Sequence, residues 1–245
     1  MWSFGRPRPG VEVCQVLRLG RLDYLDAREL QRELVAARGA GRIPDTLVLL
    51  EHPHTYTNGR AGRDANLLID DKQLAAIGAS YVRADRGGDI TYHGPGQIVG
   101  YPILDLRRWR QDLHLYLRAL EEVLIVTLAD FGIAAGRLAG CTGVWVGEKK
   151  IAAIGVRVNS WITSHGFALN VDTDLSYFRH IVPCGLIGKE ATSMARILGH
   201  QVGNEAVESR LLHFFGQAFC LEMGPRSIAG STTTLDRELC SAPPP

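Results

Sequence analysis

Apolar residues recur along this chain with two different periods, and the period decides which element each segment predicts. Residues 11–19 read as a first strand. Over 22–37 the apolar Leu22, Leu25, Leu30, Leu34 and Val35 fall close to a helical repeat, which Gly39 and Gly41 end. Residues 46–50 form an unbroken apolar run between Pro44 and Pro53, as a buried strand would. The stretch 51–65 reads as loop, punctuated by Gly59 and Gly62. Strands are expected at 80–85 and 98–106, on either side of a glycine-rich stretch. Between 111 and 131, Leu113, Leu117, Leu120, Leu124 and Leu128 share one helical face. Short strands follow at 144–146, 151–158 and 167–171, then helices near 191–198 and 206–219. Strands and helices that do not strictly alternate predict an α+β domain of mixed sheets flanked by helices.

The 245 residues carry no internal repeat and no linker that would divide the chain into separate domains. The expected organisation is an N-terminal extension over 1–10, a single domain over 11–223, and a disordered tail over 224–245. A formal net charge of +1 argues against nucleic acid or a membrane surface as partner, since either needs a basic excess. No window approaches the roughly 18 apolar residues of a membrane span. The start lacks a signal-peptide pattern, so a cytoplasmic protein is expected. No interface stripe stands out, so a monomer is expected. Five scattered cysteines without a CxxC pair predict neither a disulfide framework nor a zinc site. His52 and His54 flank Pro53 with no further ligand cluster, so no metal is expected, and no cofactor.

Four segments could carry chemistry. Arg86, Gly87, Gly88, Asp89, Ile90, Thr91, Tyr92 and His93 run into Gly94-Pro95-Gly96-Gln97. The glycines let backbone approach a ligand closely, while Arg86, Tyr92 and His93 would supply polar groups along one wall. On composition alone, an ordinary glycine-rich turn is the favoured reading. The stretch fits neither a phosphate loop nor a dinucleotide fingerprint.

Counting by twos from Lys150 gives Ala152, Ile154, Val156 and Val158, an inward face, whereas Lys149 leads to Ile151, Ala153, Gly155 and Arg157. Lys150 is therefore expected on the protected face, partly desolvated and able to exchange a proton near neutrality. A lysine that simply snorkels outward is the alternative, and a bulge at Gly155 would spoil the count. Cys184, between Pro183 and Gly185, is either a buried structural thiol or a nucleophile beside uncrowded N–H groups. Gly166 and Ala168 give the strand His165-Gly166-Phe167-Ala168-Leu169-Asn170 a small face suited to an acyl chain or to close packing.

Together these segments resemble the lipoyl(octanoyl) transferase family. RGGDITYHGPGQ, the lysine before IAAIGVRV, HGFALN and the cysteine in PCG occur in that family's order, and Glu51-His52-Pro53 with Tyr56-Thr57-Asn58-Gly59 resembles its early loop. The resemblance spans about 11–219. It implies a fold related to biotin and lipoate–protein ligases, with Cys184 as nucleophile and Lys150 as its activating partner. Arg86 to His93, Ala153-Ile154-Gly155 and Gly166-Phe167-Ala168 would line the acyl site. It also implies octanoyl acyl carrier protein as donor. The acceptors would be lysines of apo lipoyl domains, in 2-oxoacid dehydrogenase complexes and the glycine cleavage H protein. An ATP-dependent lipoate or biotin ligase is the competing enzyme, and a non-catalytic scaffold for lipoyl domains or acyl carriers the competing binder.

Overall fold

A computed structural model describes residues 12–182 and 189–225. Two sheets organise the chain. The larger has the order β11-β1-β2-β6-β10-β9-β8-β7, and the smaller β4-β3-β5. Strands β1 (Glu12–Arg21), β2 (Asp45–Glu51) and β11 (Leu221–Pro225) run parallel to one another. From β2 onward the pairing is antiparallel through β6 (Gln97–Ile103), β10 (Ile162–Asn170), β9 (Lys149–Asn159), β8 (Cys141–Val146) and β7 (Gly136–Leu138).

The continuous apolar runs are strands buried on both faces. On β2, Leu47 and Leu49 meet the core under α3 (Leu113–Asp130) and α5 (Asn204–Phe219), with Tyr116, Leu120, Leu124 and Phe215. Val48 and Leu50 point the other way, with Leu34 of α1 (Tyr24–Gly39), Val99 and Ile103. Helix starts carry their own signals: Asp23 accepts from the Leu25 N–H at 2.8 Å and Asp112 from the Leu115 N–H at 3.0 Å.

The smaller sheet joins β3 (Thr55–Asn58), β4 (Ser80–Arg83) and β5 (Thr91–His93). It encloses a third cluster of Tyr56, Leu74, Ile90, Tyr92 and Ile181, into which α2 (Asp71–Ala76) packs Leu74. The short α4 (Met194–Leu198) precedes α5. The architecture is the α+β arrangement expected. Strand β3 lies in the stretch expected to be loop, and β5 inside the glycine-rich segment. Both are three or four residues long, too short for a periodic pattern to register. Strand β11 takes in Gly224 and Pro225, while residues 1–11, 183–188 and 226–245 lie outside the description.

Candidate active site

A cavity of about 330 Å³ opens along β9 and β10, on the side where α1 contributes Tyr24. Ala153, Gly155, Gly166 and Ala168 line it, and the two strands pair Gly155 with Gly166 and Ala153 with Ala168. Ile154 and Phe167 complete that wall. Across from it lie Arg86, Gly88, Asp89, Ile90, Thr91 and His93. Gly140 in the turn before β8, with Cys141 and Thr142 at the start of that strand, adds to the lining. Sequence reasoning passed over Tyr24, Tyr101 and Cys141, because only the topology brings these distant positions to one cavity.

Lys150 also lines the cavity, but not by the expected count. Between the pairs Trp145↔Lys150 and Val144↔Ala152 the register shifts by one, so Ile151 is an extra residue on β9. That bulge reverses parity, which places Lys150 with Ala153 and Gly155 and not with Ala152, Val156 and Val158. The latter three pack toward the core under α3 and α5. Lys150 Nζ stands 4.8 Å from the centroid of the Trp145 ring, a geometry in which the ring face attracts the cation. Lys149 pairs with Glu190 at 2.7 Å, its side chain about half exposed.

Two of the expected lining residues face elsewhere. Tyr92 lies between Thr91 and His93 on β5, so strand alternation turns it away from the cavity. Its hydroxyl meets His54 Nδ1 at 2.7 Å and its ring stacks on Tyr177 at 5.0 Å, so Arg86, Tyr92 and His93 do not share one wall. Gly87 is drawn onto β9, donating from its N–H to the Val156 carbonyl at 2.9 Å. A Cβ on Gly155 would lie 2.9 Å from the Gly87 carbonyl oxygen. Gly155 therefore admits the neighbouring loop, and its missing side chain leaves no extra room for a ligand. Gly166 does the same for Gly100, whose carbonyl oxygen would lie 2.1 Å from an added Cβ.

The polar groups form one hydrogen-bonded line. Arg86 Nη2 donates to Thr57 Oγ1 at 2.8 Å, and Nη1 to the Asp89 carbonyl at 2.9 Å, which braces the glycine loop against β3. Asp89 itself accepts from Asn66 at 2.7 Å. Thr57 Oγ1 meets His93 Nε2 at 3.3 Å, and His93 Nδ1 meets Gln97 Oε1 at 2.9 Å. Gln97 donates to Asn170 at 2.8 Å, and Asn170 to the Thr192 carbonyl at 2.9 Å. The Thr192 N–H closes the line on the Lys150 carbonyl at 2.9 Å. Burial holds the His93 pKa well below the usual histidine range, with nearby His52 and Arg86 adding to the effect, so the ring is a neutral relay. His165 is likewise held low by burial, against the opposing pull of Asp85, which meets its Nε2 at 2.8 Å. His52 binds the Leu22 carbonyl and Tyr101, both at 2.7 Å, while His54 faces Tyr92, so the two serve separate partners.

Cys184 lies outside the described residues, but its flanks do not. Val182 donates to the Asn66 carbonyl at 2.9 Å, and the Lys150 N–H donates to the Glu190 carbonyl at 2.9 Å. Lys189, Glu190 and Ala191 border a small recess together with Lys150. Among the described residues no group of three or more His, Cys, Asp or Glu could hold a metal, and no helix is long and apolar enough to cross a membrane.

Residues 23–216 match the family described as the lipoyl protein ligase A/B catalytic domain. The octanoyltransferase of Solibacter usitatus is 55% identical over 212 residues, 86% of this chain and 96% of that one. This chain belongs to the octanoyltransferase family. Another octanoyltransferase, from Gloeobacter violaceus, is 55% identical over 216 residues, covering 88% of this chain and 94% of its own. The octanoyltransferase fold extends to enzymes far away in sequence. A lipoate-protein ligase A solved with ATP superposes with a TM-score of 0.69 at 16% identity, over 94% of this chain and 92% of that one. A bipartite lipoate protein ligase from Thermoplasma acidophilum gives 0.68 at 17%, over 93% and 90%.

Proposed function

We propose that this protein transfers an octanoyl group from acyl carrier protein to a lysine of apo lipoyl domains, through a thioester on Cys184. The observation that carries the reading is the placement of Lys150. The bulge at Ile151 turns it into the cavity, and its strand is hydrogen-bonded to the stretch that leaves Cys184. The cavity of about 330 Å³ beside Lys150 supports the reading, since it offers space for an acyl chain next to the activating group.

A free cysteine has a pKa of about 8.5 and is mostly a thiol at neutral pH, so it needs an activating neighbour. Lys150 supplies one, either as an ammonium beside the thiolate or as the base that takes its proton. The Cys184 thiolate attacks the donor's carbonyl carbon, a new C–S bond forms, and the carrier's thiolate leaves and is protonated. One thioester replaces another, so no ATP is consumed. The acceptor lysine, with a pKa near 10.4 in water, gives up a proton to the dyad and attacks the acyl-enzyme. The C–N bond forms as the Cys184 sulfur leaves, and the amide makes this half effectively irreversible.

The test is intact mass after incubation with octanoyl acyl carrier protein in the absence of ATP. An octanoyl adduct on the wild type, missing from Cys184→Ala and discharged by an apo lipoyl domain, is the expected result. Activity that appears only with ATP and free octanoate would assign the protein to the ligases. Lys150→Ala should lose acyl-enzyme formation and move iodoacetamide alkylation of Cys184 to higher pH. Lys149→Ala should keep both, since Lys149 is engaged by Glu190.

A further inference from the structure

Glu121 is a buried carboxylate that the mechanism above leaves unused. It projects from α3 with 1% of its surface exposed. Its Oε2 accepts from Arg118 Nη1 at 2.7 Å and from Arg137 Nε at 2.9 Å, and its Oε1 accepts the Gly143 N–H at 3.2 Å. Arg137 also donates to the Arg118 carbonyl at 3.0 Å and to Glu122 at 2.7 Å. Desolvating a carboxylate is costly, and here two guanidinium donors and a backbone N–H offset that cost. What the charge secures is the hairpin of β7 and β8, which lies at the outer edge of the large sheet.

That hairpin is the bed on which Lys150 rests. Gly143 has φ +118°, and a Cβ built on it would lie 2.6 Å from the Ala152 carbonyl oxygen and 3.4 Å from Lys150 Cε. Farther along the same strand, Trp145 presents its ring to the Lys150 ammonium. Just before them, Gly140 of the turn and Cys141 and Thr142 of β8 line the cavity wall. A shift of the hairpin therefore moves the surface against which Lys150 is set, and Glu121 ties that surface to α3.

We propose that Glu121 is a positioning residue for octanoyl transfer, acting through the Gly143 backbone to hold Lys150 at the cavity. The proposal rests on the reading of Lys150 as the activating partner of Cys184. Glu121→Gln keeps the size and an acceptor for Gly143 but removes the charge that binds both guanidinium groups. The measurements are kcat and KM for octanoyl transfer, and the pH midpoint of iodoacetamide alkylation read on the Cys184 peptide. The expected result is a folded variant whose kcat falls roughly ten- to a hundredfold, as for an ångström-scale misplacement, with a smaller change in KM. Its alkylation midpoint should move toward that of Lys150→Ala. A folded Glu121→Gln with wild-type kcat and midpoint overturns the proposal. If Glu121→Gln does not fold, Arg137→Gln releases the hairpin from the same carboxylate, and the same two readings decide. Should the wild type itself fail to transfer an octanoyl group, the functional reading fails first, and the midpoint still reports whether Glu121 governs the lysine's placement.

Discussion

Gly100 and Phe167 face each other across β6 and β10, and the benzyl ring lies where a side chain on residue 100 would begin. A Cβ there would stand 2.2 Å from Phe167 Cζ. Gly100→Ala should therefore lower stability by about 1–3 kcal/mol, the usual cost of overpacking a core. Adding Phe167→Leu should return some of it, which urea midpoints of the two single variants and the double will show. His52 gives a second effect of a single side chain. Its Nδ1 proton goes to the Leu22 carbonyl, so Nε2 accepts from the Tyr101 hydroxyl, and burial lowers its pKa from 6.5 to about 4. Between those values the unfolded chain binds a proton that the folded one refuses. Stability from this group is thus fully present above about 6.5 and drains away as pH falls toward 4, by roughly 3 kcal/mol. His52→Gln should lose less stability than the wild type between pH 7 and pH 4.5, and equal losses would contradict the assignment. Neither effect was legible in the sequence: the first needs the strand register and the second needs burial.

Among elements, α1 is pinned to the large sheet by charge as well as by packing. Arg38 in its last turn donates to Asp45 at the start of β2 at 2.7 Å, and Asp45 accepts the Asp105 N–H at 2.9 Å. Both partners are under 8% exposed at the side chain. Desolvation raises the Asp45 pKa against the pull of Arg38, so the pair is held mainly by mutual compensation. Asp45→Ala leaves the buried Arg38 guanidinium with Asp105 at 3.7 Å in place of its shorter partner, and should destabilise by up to about 3 kcal/mol in chemical denaturation. The long elements around this joint were legible because each spans several turns of a consistent pattern, as with the leucines of α3. The bulge in β9 was not, although it decides which lysine reaches the cavity. A single extra residue leaves the local composition unchanged and reverses everything counted across it.

For the molecule as a whole, the resemblance carried by a few short motifs identified the cavity walls better than periodicity did. Periodicity spoke of strands one at a time, while the cavity is assembled from α1, the glycine loop, β9, β10 and the start of β8 with the turn before it. Tyr92 shows the limit of motif reading, since adjacent positions on a strand face opposite ways. A different long-range feature, the parallel pairing of β1 with β11, joins Glu12 to Leu221. Truncation after Cys220 should leave β1 with an unpaired edge and strip Leu221 and Met223 from the core, lowering the thermal midpoint and promoting self-association in light scattering. The same pairing has a meaning in time. Strand β1 cannot gain its outer neighbour until the whole stretch between the two strands has been made. Closing so large a loop is entropically late. In refolding from denaturant, amide protection along Glu12–Val16 on the β11 side should therefore develop after that of the antiparallel ladder from β6 to β9.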